Sequence, residues 1–127
     1  MISDQKIHSF TDLKAWQENH QLVLRIYKIT KLFPRSETYS LVDQMRRAAV
    51  SITSNIAEGY GRQSYKEKVQ FFYVAHGSLI ELKNQIIIAK DVGFLKESDF
   101  ILLSDQANIG HQLLQGLITK SKSFINS

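Results

Sequence analysis

The stretch Gln44-Met45-Arg46-Arg47-Ala48-Ala49-Val50-Ser51-Ile52-Thr53-Ser54-Asn55-Ile56-Ala57-Glu58-Gly59 contains no proline, and its apolar residues return every three or four positions. That spacing predicts a helix rather than a strand. Met45, Ala48, Ile52 and Ile56, extended back to Leu41, give its apolar stripe. The rest of the circumference mixes small, polar and apolar residues instead of presenting one charged solvent face. A helix of that kind is expected to touch more than one neighbouring surface.

Working outward, the same period recurs on both sides. Pro34, the only proline, separates this helix from an earlier one, because the residue before proline avoids helical angles. The spacing predicts four helices, at about 11–32, 38–58, 65–91 and 98–124. In the first, Leu13, Trp16, His20, Val23, Leu24 and Tyr27 form the main stripe. Ser36 or Thr38 is a suitable N-cap for the second, and Gly59 and Gly61 suit a left-handed stop at its end. Ser64-Tyr65-Lys66-Glu67 is a capping box opening the third, whose stripe runs through Phe72, Ala75, Leu79, Leu82, Ile86 and Ala89, with Gly93 as terminator. The fourth opens at Glu97 or Ser98 and turns Phe100, Leu103, Ala107, Gly110, Leu114, Leu117 and Ile118 inward. Short connections make consecutive helices antiparallel neighbours, so the expected architecture is all-α: an up-down-up-down four-helix bundle spanning 1–127 as one domain.

Composition agrees. A chain of 127 residues with 43% hydrophobic content is long and apolar enough for one folded core. Cysteine is absent, which excludes disulfides and thiolate metal sites and suits a reducing cytoplasm. The Met1–Phe10 segment is polar and lacks the apolar stretch of a signal peptide, and no apolar run reaches membrane-spanning length. The net charge of +4 points to anionic partners, nucleic acid first.

Second apolar lines complicate the picture. Ala15, Leu22, Ile26, Ile29 and Phe33 form one on the first helix, Val42, Ala49, Val50, Thr53 and Ala57 on the second, and Val69, Tyr73, His76, Ile80 and Ile87 on the third. Left bare, these lines would make a large apolar patch, and such patches mark interfaces. The expectation is a homo-oligomer, cyclic if unlike faces meet. The alternative is a broad core face with scattered surface apolar residues.

Polar residues of the quoted stretch admit two readings. Ser51, Asn55, Glu58 and Gly59 fit a packing and register network, in which Arg46 and Arg47 pair with carboxylates such as Glu58 or Glu81. Alternatively, Arg46 and Arg47 contact phosphate. A stronger basic cluster lies where the expected topology places the second turn and both termini. There Lys14, Arg62, Lys66, Lys68, Lys120 and Lys122 outnumber Asp12, Glu58 and Glu67, with Tyr60 and Tyr65 among them for base stacking. Arg62, Tyr65, Lys66, Lys68, Lys120, Lys122, Arg46 and Arg47 are therefore the candidate nucleic-acid-binding residues. A solvated basic end that aids solubility is the alternative.

Taken together, Phe10-x-Asp12-Leu13-x-x-Trp16, Phe33-Pro34-x-x-Glu37-x-Tyr39, Gln44-x-Arg46-Arg47-Ala48-Ala49-x-Ser51-Ile52-x-x-Asn55-Ile56-Ala57-Glu58-Gly59 and Phe72-x-x-Ala75-x-Gly77-Ser78-x-x-Glu81-Leu82 cover nearly the whole chain. In these motifs it resembles the four-helix proteins encoded in intervening sequences of bacterial large-subunit ribosomal RNA genes, also called the S23 ribosomal protein family. The resemblance implies a barrel-like homopentamer. It also implies similarity to the accessory variability determinant of diversity-generating retroelements, a basic pentamer that binds nucleic acid and a reverse transcriptase.

Catalytic readings find no support. His8, His20, His76 and His111 are scattered, without the Glu-x-x-His pairs of di-iron bundles or a His-x-x-x-His zinc helix. His20 and His76 read as packed histidines. The Arg-x4–6-His motif of helical HEPN-type ribonucleases is missing, and Gly59-x-Gly61 follows a helix, not the strand a dinucleotide loop requires. The expectation is a non-enzyme without cofactor or metal. Its partners would be its own copies, RNA or DNA, and a reverse transcriptase or other protein. A purely structural or protein-interaction ring is the alternative.

Overall fold

A computed structural model describes residues 6–125. The ends of the expected 1–127 unit, including most of the Met1–Phe10 reading, lie outside the described residues. Among the described residues there are four α-helices: α1 (Lys14–Thr30), α2 (Leu41–Tyr60), α3 (Tyr65–Asp91) and α4 (Glu97–Lys122). No strand occurs among the described residues. Each helix packs on the next and α4 packs back on α1, while the diagonal pairs make no close backbone approach. This is the arrangement of a four-helix bundle.

Helix ends follow local chemistry. Ahead of α1, Ser9 and Asp12 close a capping box around a short 3-10 turn, Phe10–Asp12, so α1 itself starts later than the sequence suggests. A second such turn, Arg35–Glu37, follows Pro34 and delays α2, whose N-cap position is Ser40 rather than Ser36 or Thr38. Ser64 accepts the Glu67 amide at 3.2 Å and caps α3 as expected. Gly93, at φ +87°, ends α3, with the Phe94 amide reaching back to the Ala89 carbonyl. The expected left-handed stop at Gly59 or Gly61 is absent. Gly61 has φ −77°, and Gly59 lies inside α2.

Gly59 has another use. A Cβ there would lie 2.6 Å from Phe72 Cε1, so the missing side chain is what lets the Phe72 ring lie against α2. Leu22, Ile26, Met45, Ile52, Ile56, Phe72, Leu79, Leu82, Leu103, Leu114 and Ile118 are almost completely buried around it. Each is worth about 1.5–3 kcal/mol of transfer free energy.

Two expected faces are corrected. On α1 the core is formed by Ala15, Leu22, Val23, Ile26 and Ile29, with Phe33 beyond, while Leu24 and Tyr27 of the expected main stripe are exposed. Asn19 and Thr30 obscured this in the sequence. Both place their donors on helix carbonyls: Asn19 Nδ2 donates to the Ala15 carbonyl at 2.8 Å and to the Gly110 carbonyl of α4 at 3.2 Å, and Thr30 Oγ1 to the Ile26 carbonyl at 2.6 Å, while Asn19 Oδ1 is buried without a hydrogen-bond partner among the described residues. On α2, Val42, Ala49 and Thr53 are likewise buried within the chain. The α1 line therefore completes the core, and most of the α2 line joins it, while Val50 stays exposed and Ala57 half-buried. On α3 the expectation holds in part: Val69 is buried, but Tyr73, Ile80 and Ile87 are exposed.

Candidate nucleic-acid interface

The turn from α2 to α3 brings Tyr60, Arg62, Tyr65, Lys66 and Lys68 together with the end of α4. Lys68 is its centre. Its ammonium donates to the Tyr60 carbonyl at 2.6 Å, at the C-terminal end of α2, where the helix dipole favours a cation. The same ammonium lies 5.5 Å from the Tyr60 ring centre and 5.8 Å from that of Tyr65. Burial among these rings holds the Lys68 amine below the usual lysine range. Tyr65 packs on Phe124 with ring centres 5.0 Å apart.

Around Lys68 the rings and Leu117 enclose a cavity of about 200 Å³, lined also by Leu13, Phe72 and Lys120. That volume is below the usual range for cofactor-sized pockets. It suits one flat ring at most, with Lys68 and Lys120 at hand for a phosphate. Lys122 donates to the Tyr73 hydroxyl at 3.2 Å on the α3 side. Arg62 lies over the Phe71 ring at 4.4 Å and pairs loosely with Glu58 at 3.6 Å. Lys66 is exposed in the first turn of α3. Six of the eight candidate binding residues thus come from this end of the molecule.

Arg46 and Arg47 do not join them, lying about 20 Å or more back along α2. Arg46 is held against α1. Its Nε donates to Thr30 Oγ1 at 3.1 Å, its Nη2 to the Tyr27 carbonyl at 3.3 Å, and its guanidinium covers the Tyr27 ring at 4.6 Å. Arg47 pairs with Asp43 one turn earlier at 2.9 Å, not with Glu58 or Glu81. Among the other signature residues, Ser51 ties α2 to α3, and Asn55 braces Ser51 from within α2. Asn55 Nδ2 donates to the Ser51 carbonyl at 2.8 Å, and the Ser51 and Ser78 hydroxyls are 2.7 Å apart across the seam.

One constellation was not expected from the sequence. His111 on α4 lies between two α3 side chains, its Nε2 3.2 Å from His76 Nε2 and its Nδ1 2.7 Å from the Lys83 ammonium. Burial, then Lys83, then His76, push the His111 imidazole below its ordinary range. The only hint was His76 and Lys83 seven residues apart on one helix, a spacing that does not name the partner on α4. His20 stacks on Trp16 at 4.5 Å, a packed histidine as read. Among the described residues no group of three or more His, Asp or Glu side chains could hold a metal ion, and no helix is long and apolar enough to cross a membrane.

Fold and site together define a four-helix protein with a basic, tyrosine-bearing end. The family model of the 23S rRNA-intervening sequence protein matches residues 11–116, and the chain belongs to that family. It is also similar to a solved protein of unknown function from the S23 ribosomal protein family of Bacteroides thetaiotaomicron VPI-5482. That likeness has a TM-score of 0.75 at 17% identity, over 82% of this chain and 97% of the other, and it concerns the fold alone. No curated protein matches the chain.

Proposed function

We propose that this chain is a non-enzymatic module that binds the phosphate backbone of RNA or DNA at the Tyr60–Lys68 end. It acts as a ribonucleoprotein or reverse-transcriptase accessory subunit, in the cytoplasm, without cofactor. The observation that carries the reading is the convergence of Lys68 and Lys120 on one ring-lined cavity, with Tyr60, Tyr65 and Phe124 as its walls. Ammonium groups among stacking surfaces are the chemistry of sequence-tolerant single-strand binding.

The reading takes the bundle as antiparallel, up-down-up-down. Supporting this, Arg46 early in α2 reaches Tyr27 and Thr30 late in α1, and Lys90 late in α3 pairs with Glu97 at the start of α4. It also takes the molecule as a cyclic homo-oligomer, five-membered on the family resemblance, which would repeat the basic end around an axis and concentrate its field. The test is a titration with single-stranded RNA and DNA at two salt concentrations. Affinity should fall steeply with salt, and the variant carrying Arg62→Glu, Lys66→Glu and Lys68→Glu should lose most of it. Binding indifferent to both would end the proposal.

A second reading, a structural or protein-interaction ring without nucleic acid, draws on the exposed apolar residues of α3, Tyr73, Val74, Ile80, Ile87 and Ile88. It expects a specific protein partner retained after nuclease treatment.

A further inference from the structure

The outer face of α3 is unusual for a helix in water. Ile80, Ile87 and Ile88 are 45%, 50% and 41% exposed. Glu81, Asn84 and Asp91 share their arc, and no exposed cation occurs between Tyr73 and Asp91. The two α3 lysines in that span are turned toward α4, Lys83 onto His111 and Lys90 onto Glu97 and the Phe100 ring. What remains outside is an apolar ridge edged with carboxylates. Neither Glu81 nor Asp91 has an ion-pair partner among the described residues.

The complement lies on another side of the same molecule. Between α1 and α4 runs a groove of about 420 Å³, lined by Leu24, Leu32 and Leu102 together with Arg25, Lys28 and Lys96. Leu24 is 49% exposed, Leu32 73% and Leu102 40%. Its three cations face a single carboxylate, Asp99, and none forms an ion pair among the described residues. Arg25 Nε is buried without a hydrogen-bond partner. An apolar floor with unpaired cations on its rim is matched in shape class and in charge by an apolar ridge with unpaired carboxylates on its flanks.

We propose that the α1/α4 groove receives the α3 ridge of a second copy of this chain, Ile80, Ile87 and Ile88 covering Leu24, Leu32 and Leu102 while Glu81 and Asp91 meet Arg25, Lys28 and Lys96. The inference rests on the oligomeric reading above and says which surfaces make the contact. The helix α3 packs on α2 and α4 and not on α1, so ridge and groove lie on different sides. A copy that docks its ridge leaves its own groove open. The contact is therefore head-to-tail, and such contacts close into rings or run on as filaments.

Sedimentation velocity at micromolar concentration tests this, with circular dichroism to confirm the fold of each variant. Lys28→Glu with Lys96→Glu, and separately Glu81→Lys with Asp91→Lys, should each bring the mass down to the 14.6 kDa monomer. The variant with all four changes restores complementarity with the signs exchanged and should regain the wild-type mass. Two single-surface variants that dissociate without rescue by the combination would overturn the pairing, as would a wild-type oligomer unmoved by any of them; in both cases self-association itself stands. A wild-type monomer would instead sink the oligomeric reading. If that monomer binds a synthetic acidic amphipathic peptide, and Lys28→Glu with Lys96→Glu abolishes the binding, the groove belongs to a different protein and the pairing is likewise wrong.

Discussion

Cations lie near tyrosines at both ends of the helix α2, one on the helix itself and one on α3, and the two are held differently. Near its start, Arg46 gives two hydrogen bonds and its flat face to Tyr27 and Thr30 of α1, so the guanidinium is used inside the fold. Past its end, Lys68 makes one hydrogen bond and stays at the mouth of a ring-lined cavity shared with Lys120. A planar group with five donors is well made for bracing two helices; an ammonium on a flexible stem is free to meet a phosphate. Charge and aromatic neighbours alone do not distinguish a brace from a binding group. What distinguishes them is how many donors the fold has already used.

That contrast can be broken at several points, the largest effect first. Phe72 underlies the cavity and fills the space that Gly59 leaves, so Phe72→Ala should lower unfolding free energy by about 3–5 kcal/mol in urea titration. An unchanged midpoint would mean that the basic end does not rest on the core. Arg46→Ala should destabilise by about 1–3 kcal/mol through its lost hydrogen bonds while leaving RNA affinity as it was. A fall in affinity without a fall in stability would make Arg46 a ligand after all. Lys68→Glu with Lys120→Glu should do the reverse: the fold persists, and the slope of log affinity against log salt becomes shallower by about one for each phosphate contact removed. An unaltered slope would leave the cavity without a role in binding.

Smaller effects follow. The His111 imidazole titrates below its ordinary value in the folded chain, so the unfolded chain takes up its proton first as pH falls. Stability from this group is therefore intact above the ordinary histidine range, near pH 6.5, and is lost as pH drops below it. Melting temperatures from pH 8 to 5 should show that decline, reduced in His111→Gln. An equal decline in the variant would assign it to other groups. Smallest is Arg47→Ala. Its ion pair with Asp43 is exposed, and the expected change is about 0.3–0.5 kcal/mol.

Much of the bundle was legible. Four helices, the Ser64 cap and the Gly93 stop follow from rules that act within a few residues, and all are present, with α1 and α2 starting about one turn late behind short 3-10 turns. The inward face of α1 was not. Two polar residues, Asn19 and Thr30, occupy buried positions with helix carbonyls accepting from them, while Leu24 and Tyr27 remain outside. Hydrophobic periodicity counts residue types and cannot see a polar donor that finds a helix carbonyl. The basic end was legible as a cluster because consecutive residues, Tyr60 to Lys68, supply most of it. The His76–His111–Lys83 contact and the Arg46 brace were not, since each joins residues 16 or more positions apart.

By itself, then, the sequence determined helix number, the Ser64 cap and Gly93 stop of α3, the family motifs and the position of the basic turn. All of these depend on spacing along one chain. Only the tertiary structure decided which apolar line on α1 faces inward, how far the second line on α2 is buried, which cations are used up by neighbouring helices, and which apolar residues of α3 are left exposed. Burial and hydrogen-bond satisfaction are properties of what lies opposite a residue, and no period within a single helix specifies its partner.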